Sequence, residues 1–334
     1  IVQGGMGVGV SLSSLAGNVA KCGGIGTISG VHPGYREADF KENPFRANLR
    51  AIGNELEKAK EIANGGIIGF NFMTVMNHYE EYVKEAIAAG ADFIVSGAGL
   101  PVNLAKYAAG TRAAILPIVS SARALKLIVK QWQRADRLPD AVVVEGPLAG
   151  GHLGYPYGHL VDGTFDTLED TLVDVVDYVQ ELEEKNGVKI PVIAGGGVRN
   201  HADMERLMAL GASGVQVGTK FVATEECDAA PAFKQAYLRS RKEDVQLIES
   251  PVGLAARAIR NSFLEKVEKQ GRIPVQRCYQ CMNHCKQAET KYCISQALID
   301  AVQGREGLVF CGANAYEIEK LSTVEKVMQE LCGE

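Results

Sequence analysis

The chain has 334 residues, 46% of them hydrophobic and 22% charged, and a formal net charge of −5. That length supports a large core, either one α/β domain or a domain with an appendage. The acidic balance without a basic stripe argues against a nucleic-acid binder, and no apolar run reaches the roughly 18 residues needed to span a bilayer.

The chain starts inside an apolar stretch, Ile1-Val2-Gln3, so a preceding segment, including any targeting sequence, stays open. From there short β-rich runs alternate with segments of helical period. The predicted strands are Ile1–Gln3, Gly24–Ile28, Ile67–Phe72, Phe93–Ser96, Ala114–Val119, Ala141–Val144, Pro191–Ala194 and Gly214–Val217. The predicted helices between them are Ser11–Lys21, Asn54–Ala63, His78–Ala89, Val102–Tyr107, Ala122–Arg134, Thr167–Glu184 and His201–Leu210. The strands are continuously apolar, as expected when both faces are buried. Eight strand–helix repeats predict a (β/α)8 TIM barrel over residues 1–223, with a doubly wound open sheet as the alternative. Residues 224–277 read as a helical segment covering the substrate, including the apolar-basic stretch Pro251–Asn261. Residues 278–334 read as a Cys-rich helical extension packed on the barrel.

Glycines collect just past the predicted strands: Gly4-Gly5-Met6-Gly7, Gly97-Ala98-Gly99, Gly150-Gly151, Gly195-Gly196-Gly197 and Gly218-Thr219. In a barrel those ends form the face that carries active sites. The loops after strands seven and eight are the usual phosphate site of such barrels, completed by a helix N-terminus. Asn200 is a suitable cap for a helix starting near His201. Any one of these glycines alone could simply make a tight turn. A Rossmann reading of Gly5-Met6-Gly7-Val8-Gly9 is weak, and a Walker loop is absent from the sequence.

The segments QGGMGVGVS, LAGNVAKCGGIGTIS, GFNFM, EGPLAGGHLG, PVIAGGGV, GVQVGTKFVATEEC and SPVGLAARAIRN occur in this order. Together they resemble the FMN-dependent nitronate monooxygenases (the 2-nitropropane dioxygenase family) over roughly residues 1–262. They are also similar to the flavin-containing enoyl-ACP reductase II enzymes. The resemblance implies FMN at the C-terminal face of the barrel, its phosphate held by Gly196, Gly197, Gly218 and Thr219. It places Gly4, Gly5, Met6, Asn71, Gly150 and Gly151 near the isoalloxazine or ribityl chain. Glu145 and Gln216 would reach the ribityl hydroxyls, and Ser120 is a weaker carry-over. His152 falls on the family's GGH histidine, implying the base that takes the acidic proton next to a nitro group. Imidazole suits that task, with an unperturbed pKa of about 6.5. In an enoyl reductase the same position would orient or protonate the substrate, with NAD(P)H as reductant. His32, His78, His159 and His201 read as loop or surface residues, with His159 a candidate for the pocket lining.

Of eight cysteines, four are crowded in Cys278-x2-Cys281-x3-Cys285-x7-Cys293, outside the part that carries the resemblance. Such spacing points to a metal site more than to independent thiols. The options are a [4Fe–4S] cluster, whose segment in flavin barrel reductases such as 2,4-dienoyl-CoA reductase it resembles, zinc, or free thiols. His284, beside Cys285, could replace a ligand or face solvent. Uneven cysteine use fits a reducing, cytoplasmic setting rather than a secreted disulfide framework. The expected partners are a small-molecule substrate and, as an option, a second copy in a homodimer; neither nucleic acid nor membrane is expected.

Overall fold

The computed structural model describes residues 1–334 except His284. In chain order the strands are β1 (Val2–Gln3), β2 (Ile25–Ser29), β3 (Ile67–Met73), β4 (Phe93–Gly97), β5 (Ala114–Val119), β6 (Val142–Glu145), β7 (Gly151–Leu153), β8 (Val192–Gly195), β9 (Gly214–Val217), β10 (Val245–Glu249) and β11 (Ala255–Ile259). The helices are α1 (Ser13–Lys21), α2 (Pro44–Ala63), α3 (Tyr79–Ala88), α4 (Leu104–Tyr107), α5 (Ala122–Trp132), α6 (Tyr157–Asp162), α7 (Leu168–Asn186), α8 (His201–Ala209), α9 (Thr219–Val222), α10 (Pro231–Arg239), α11 (Ser262–Gln270), α12 (Ile294–Val302) and α13 (Val324–Cys332).

Strands β1, β2, β3, β4, β5, β6, β8 and β9 form a closed barrel in that order. Closure is explicit, because Val2 pairs in parallel with Ile25 of β2 on one side and with Gln216 of β9 on the other. The open-sheet alternative is therefore excluded, and the fold is a (β/α)8 barrel. Both faces of these strands are buried, which is why they read as unbroken apolar runs. Val2, Phe93, Val95, Leu116, Val143 and Ile193 pack with one another inside the barrel. This plug leaves the C-terminal end of the strands as the open end. Outside it, the helices join one large apolar cluster that also takes in Leu308, Val309, Val324 and Val327 from the C-terminal part.

Helix starts follow local capping chemistry. Ser121 accepts from the amide of Ala124, Thr167 forms a capping box with Asp170, and Asn200 accepts from the amide of Asp203. Helix α2 starts at Pro44, ten residues before the expected Asn54. Asn43 accepts from the amide of Arg46 and Pro44 occupies the first turn, so the helix nucleates there.

The covering segment departs from expectation. It is not purely helical, because β10 and β11 form an antiparallel hairpin whose free edge takes up β7 from the loop after β6. Ala256 pairs with His152 across that edge. The stretch expected to be part of a helical cover thus contains the central strand of a small sheet lying over the barrel mouth. Helix α13 packs against α1 and α8 and closes the chain onto the barrel wall. Among the described residues, no helix is long and apolar enough to cross a membrane.

Candidate active site

The barrel mouth holds a cavity of about 580 Å³, a size usual for ligand sites. Its floor comes from the first turn after β1. A Cβ on Gly5 would collide with Cβ of Asn71, so only glycine lets the backbone pass beside β3 there. Gly4, Met6 and Asn71 line the same floor. At the far side Gly196 and Gly197 take φ values of +103° and +87°, which favour glycine. Gly218 and Thr219 complete that side, and Thr219 Oγ1 accepts from the amide of Gly312 at 3.2 Å. Gln216 on β9 and Glu145 on β6 project from strand ends into the cavity, while Gly150, Gly151 and His152 form its rim. Ser120 stands apart. It lines an adjacent cavity of about 940 Å³ and donates to the carbonyl of Gly154.

Glu145 and His152 line both cavities. Burial pushes the Glu145 carboxyl up to about 8, so it is mostly protonated at neutral pH. The Tyr155 hydroxyl donates to the main-chain carbonyl of Glu145, not to its carboxyl. Burial also lowers the His152 imidazole to about 4, so it is neutral over the physiological range. Its Nε2 lies 2.8 Å from Ser250 Oγ. Its ring meets Phe310 edge-on at 4.9 Å. The site therefore presents a neutral imidazole and a neutral carboxyl on the walls of the same two cavities.

Ser250, Phe310 and Arg257 carry signals that sequence reasoning passed over. Ser250 opens the segment SPVGLAARAIRN, but nothing local shows that it reaches a histidine 98 positions earlier. Arg257, on β11, is buried and donates to the carbonyl of Ala149, fixing the loop that carries Gly150 and Gly151. Among the histidines, His32 is not at the surface: it is buried, with Nε2 2.8 Å from Ser295 Oγ. His159 is on α6, away from both cavities, whereas Tyr155 and Tyr157 line the larger one.

The four clustered cysteines are all free thiols, and among the described residues no group of three His, Cys, Asp or Glu side chains is arranged to hold a metal ion. His284 lies outside the described residues. Cys285 lies on the wall of the larger cavity, together with Lys286 and Lys291.

Comparison with known proteins gives three relevant likenesses. A probable nitronate monooxygenase of Staphylococcus haemolyticus is 35% identical over 136 residues, 40% of this chain and 36% of that protein, so this alignment spans about a third of the relative. A probable nitronate monooxygenase of Staphylococcus saprophyticus is 25% identical over 292 residues, covering 80% of this chain and 78% of the relative. The solved structure of FabK from Thermotoga maritima matches the fold with a TM-score of 0.73 at 24% identity, covering 99% of this chain and 91% of that one. The family model for nitronate monooxygenase matches residues 1–334, and the chain belongs to that family of oxidoreductases.

Proposed function

We propose that the protein is an FMN-dependent oxidoreductase acting on alkyl nitronates and nitroalkanes, with His152 as general base. The observation that carries this reading is the position of His152 on the wall shared by the two cavities. The smaller cavity suits a flavin by its donor set. Gly196, Gly197, Gly218 and Thr219 offer main-chain amides for a phosphate. Gln216 and Glu145 offer polar groups for a ribityl chain, while Met6 offers an apolar surface to a ring system. When bound, the flavin supplies the acceptor for the substrate's electrons.

The chain's own residues handle the proton. Neutral His152 takes the proton from the carbon bearing the nitro group, leaving a nitronate anion beside an imidazolium. A base lowered to about 4 is weak in the empty site, but the negative charge formed on the substrate favours the protonated ring and restores part of its basicity. The Ser250 hydroxyl holds one ring nitrogen and leaves the other for the transfer. Protonated Glu145 adds no charge to repel an anionic substrate and is able to donate a hydrogen bond to it.

A second reading has its own observation. The larger cavity, about 940 Å³ with two lysines on its wall, exceeds the needs of a small nitroalkane. It favours reduction of an enoyl thioester by NAD(P)H, the activity that the sequence resemblance to enoyl-ACP reductase II implies. Anaerobic spectroscopy of the purified protein separates the two. The expected result is FMN released by acid, and flavin colour bleached by a nitronate without NAD(P)H. Flavin that responds only to NAD(P)H, with turnover dependent on an enoyl thioester, moves the assignment to the second reading.

A further inference from the structure

Residues between α11 and α12 contain no helix or strand among those described, yet they are held in place at defined points. The amide of Asn77 donates to the carbonyl of Cys281 at 3.1 Å, and its side-chain amide donates to the carbonyl of Gln280 at 2.7 Å. Met282 bridges to Met76, and Tyr279 stacks on Phe40 with ring centres 5.4 Å apart. The tether therefore holds the Cys278–Met282 turn in place, with Tyr279 buried and Cys278 and Gln280 exposed.

The turn is shaped around the Cys278 sulfur. Gln280 adopts φ +51°, a left-handed conformation unfavourable for a residue with a side chain. That conformation brings its amide within 3.3 Å of Cys278 Sγ, to which it donates. Cys293 occupies the position just before α12, next to the amides of Ser295 and Gln296 in the helix's first turn. No formed hydrogen bond caps the helix through this sulfur. Cys281 is near Ser295 Oγ, which is also bonded to His32. Cys281 and Cys293 both pack, partly buried, against the edge of the main apolar cluster.

We propose that Cys278, Cys281, Cys285 and Cys293 form a thiolate-ligated metal centre, taking either zinc or an iron–sulfur cluster. Four soft sulfur ligands suit both and suit hard cations poorly. Among the described residues the side chains do not converge on one point, and metal binding would supply the free energy to draw such ligands together. Cys285 is the ligand on the wall of the larger cavity, beside Lys286, Glu289, Thr290 and Lys291. The centre thus fixes one wall of the substrate cavity, a segment that has little apolar burial of its own to hold it.

The test is metal and acid-labile sulfide analysis of wild type purified anaerobically from medium containing iron and zinc. The same analysis follows on Cys281→Ser, Cys293→Ser and, as a control, Cys332→Ser. The expected result is bound zinc, or iron with sulfide, lost in the first two variants and kept in the third. Iron with sulfide identifies the cluster; zinc alone identifies a structural ion. Hydrogen exchange across 276–293 should slow when metal is bound. Metal-free wild type overturns the proposal if neither added Zn²⁺ nor ferrous iron with sulfide binds. So does metal that stays bound in Cys281→Ser and Cys293→Ser.

Discussion

His152 Nε2 sits 2.8 Å from Ser250 Oγ, a contact that joins β7 to the loop following β10 across the mouth of the barrel. The small sheet of β10, β11 and β7 brings the two together, so the candidate base is oriented by a piece of the covering segment rather than by the barrel. A net hydrogen bond of this kind contributes about 1 kcal/mol. Ser250→Ala should therefore lower kcat/KM by about fivefold to tenfold with flavin content unchanged. Ser250→Thr, which keeps a hydroxyl, should recover most of the loss. Steady-state kinetics with a nitroalkane decide it; full activity in Ser250→Ala would remove the positioning role.

His152→Ala separates proton removal from the later chemistry. A general base contributes roughly 10²–10⁴-fold. Turnover of a neutral nitroalkane should fall by that order, whereas a preformed nitronate, which has already lost its proton, should fall far less. Comparing both substrates on the same flavin-loaded variant gives the answer. Equal losses on the two would show that His152 binds substrate rather than takes its proton.

Gly196→Ala tests the phosphate side of the cavity. At φ +103° a side chain is strained, and its Cβ would lie 3.1 Å from both the amide nitrogen of Ala149 and the carbonyl of Gly146. Strain of this kind costs of order 1–3 kcal/mol. The expected outcome is a lower melting temperature together with loss of bound flavin during purification. Normal flavin content would mean that this loop does not hold the phosphate.

The barrel was legible because each of its strands is buried on both faces and so carries an unbroken apolar run, Val142–Val144 being the plainest case. The glycine positions were legible for a similar reason, since a backbone that must pass beside Asn71 or turn at Gly196 tolerates little else. The cover was not. Strand β7 is three residues long and holds a glycine, and its pairing with β11 joins residues about a hundred positions apart, which no local period encodes. Ser250 and Phe310 were missed with it, because their link to His152 exists only once that sheet forms. Helix α2 was cut short because its first turn is announced by Asn43 and Pro44 rather than by apolar period.

Glu145 gives the pH dependence its sign. Burial raises its carboxyl to about 8, against about 4.3 in an unfolded chain. Below about 8 the group is neutral and leaves a nitronate anion undisturbed; above it, a carboxylate faces the anion. KM for nitronates should therefore rise as pH passes through about 8, and Glu145→Gln, neutral at every pH, should flatten that rise. Stability carries the same signature. Between about 4.3 and 8 the folded chain holds a proton at this site that the unfolded chain has released, so this group's contribution falls as pH increases across that window and levels off above it. His152, lowered to about 4, acts the other way at the acid end: from there to about 6.5 the unfolded chain binds the extra proton and stability rises with pH. Because the two windows overlap, the difference between wild type and Glu145→Gln isolates the carboxyl. Melting temperatures of the flavin-stripped proteins from pH 5 to 9 should converge at the acid end, with wild type falling progressively below the variant towards pH 8. Parallel curves would mean that the carboxyl ionises in the folded protein at an ordinary pH, and the uncharged acid in this site would have to be given up.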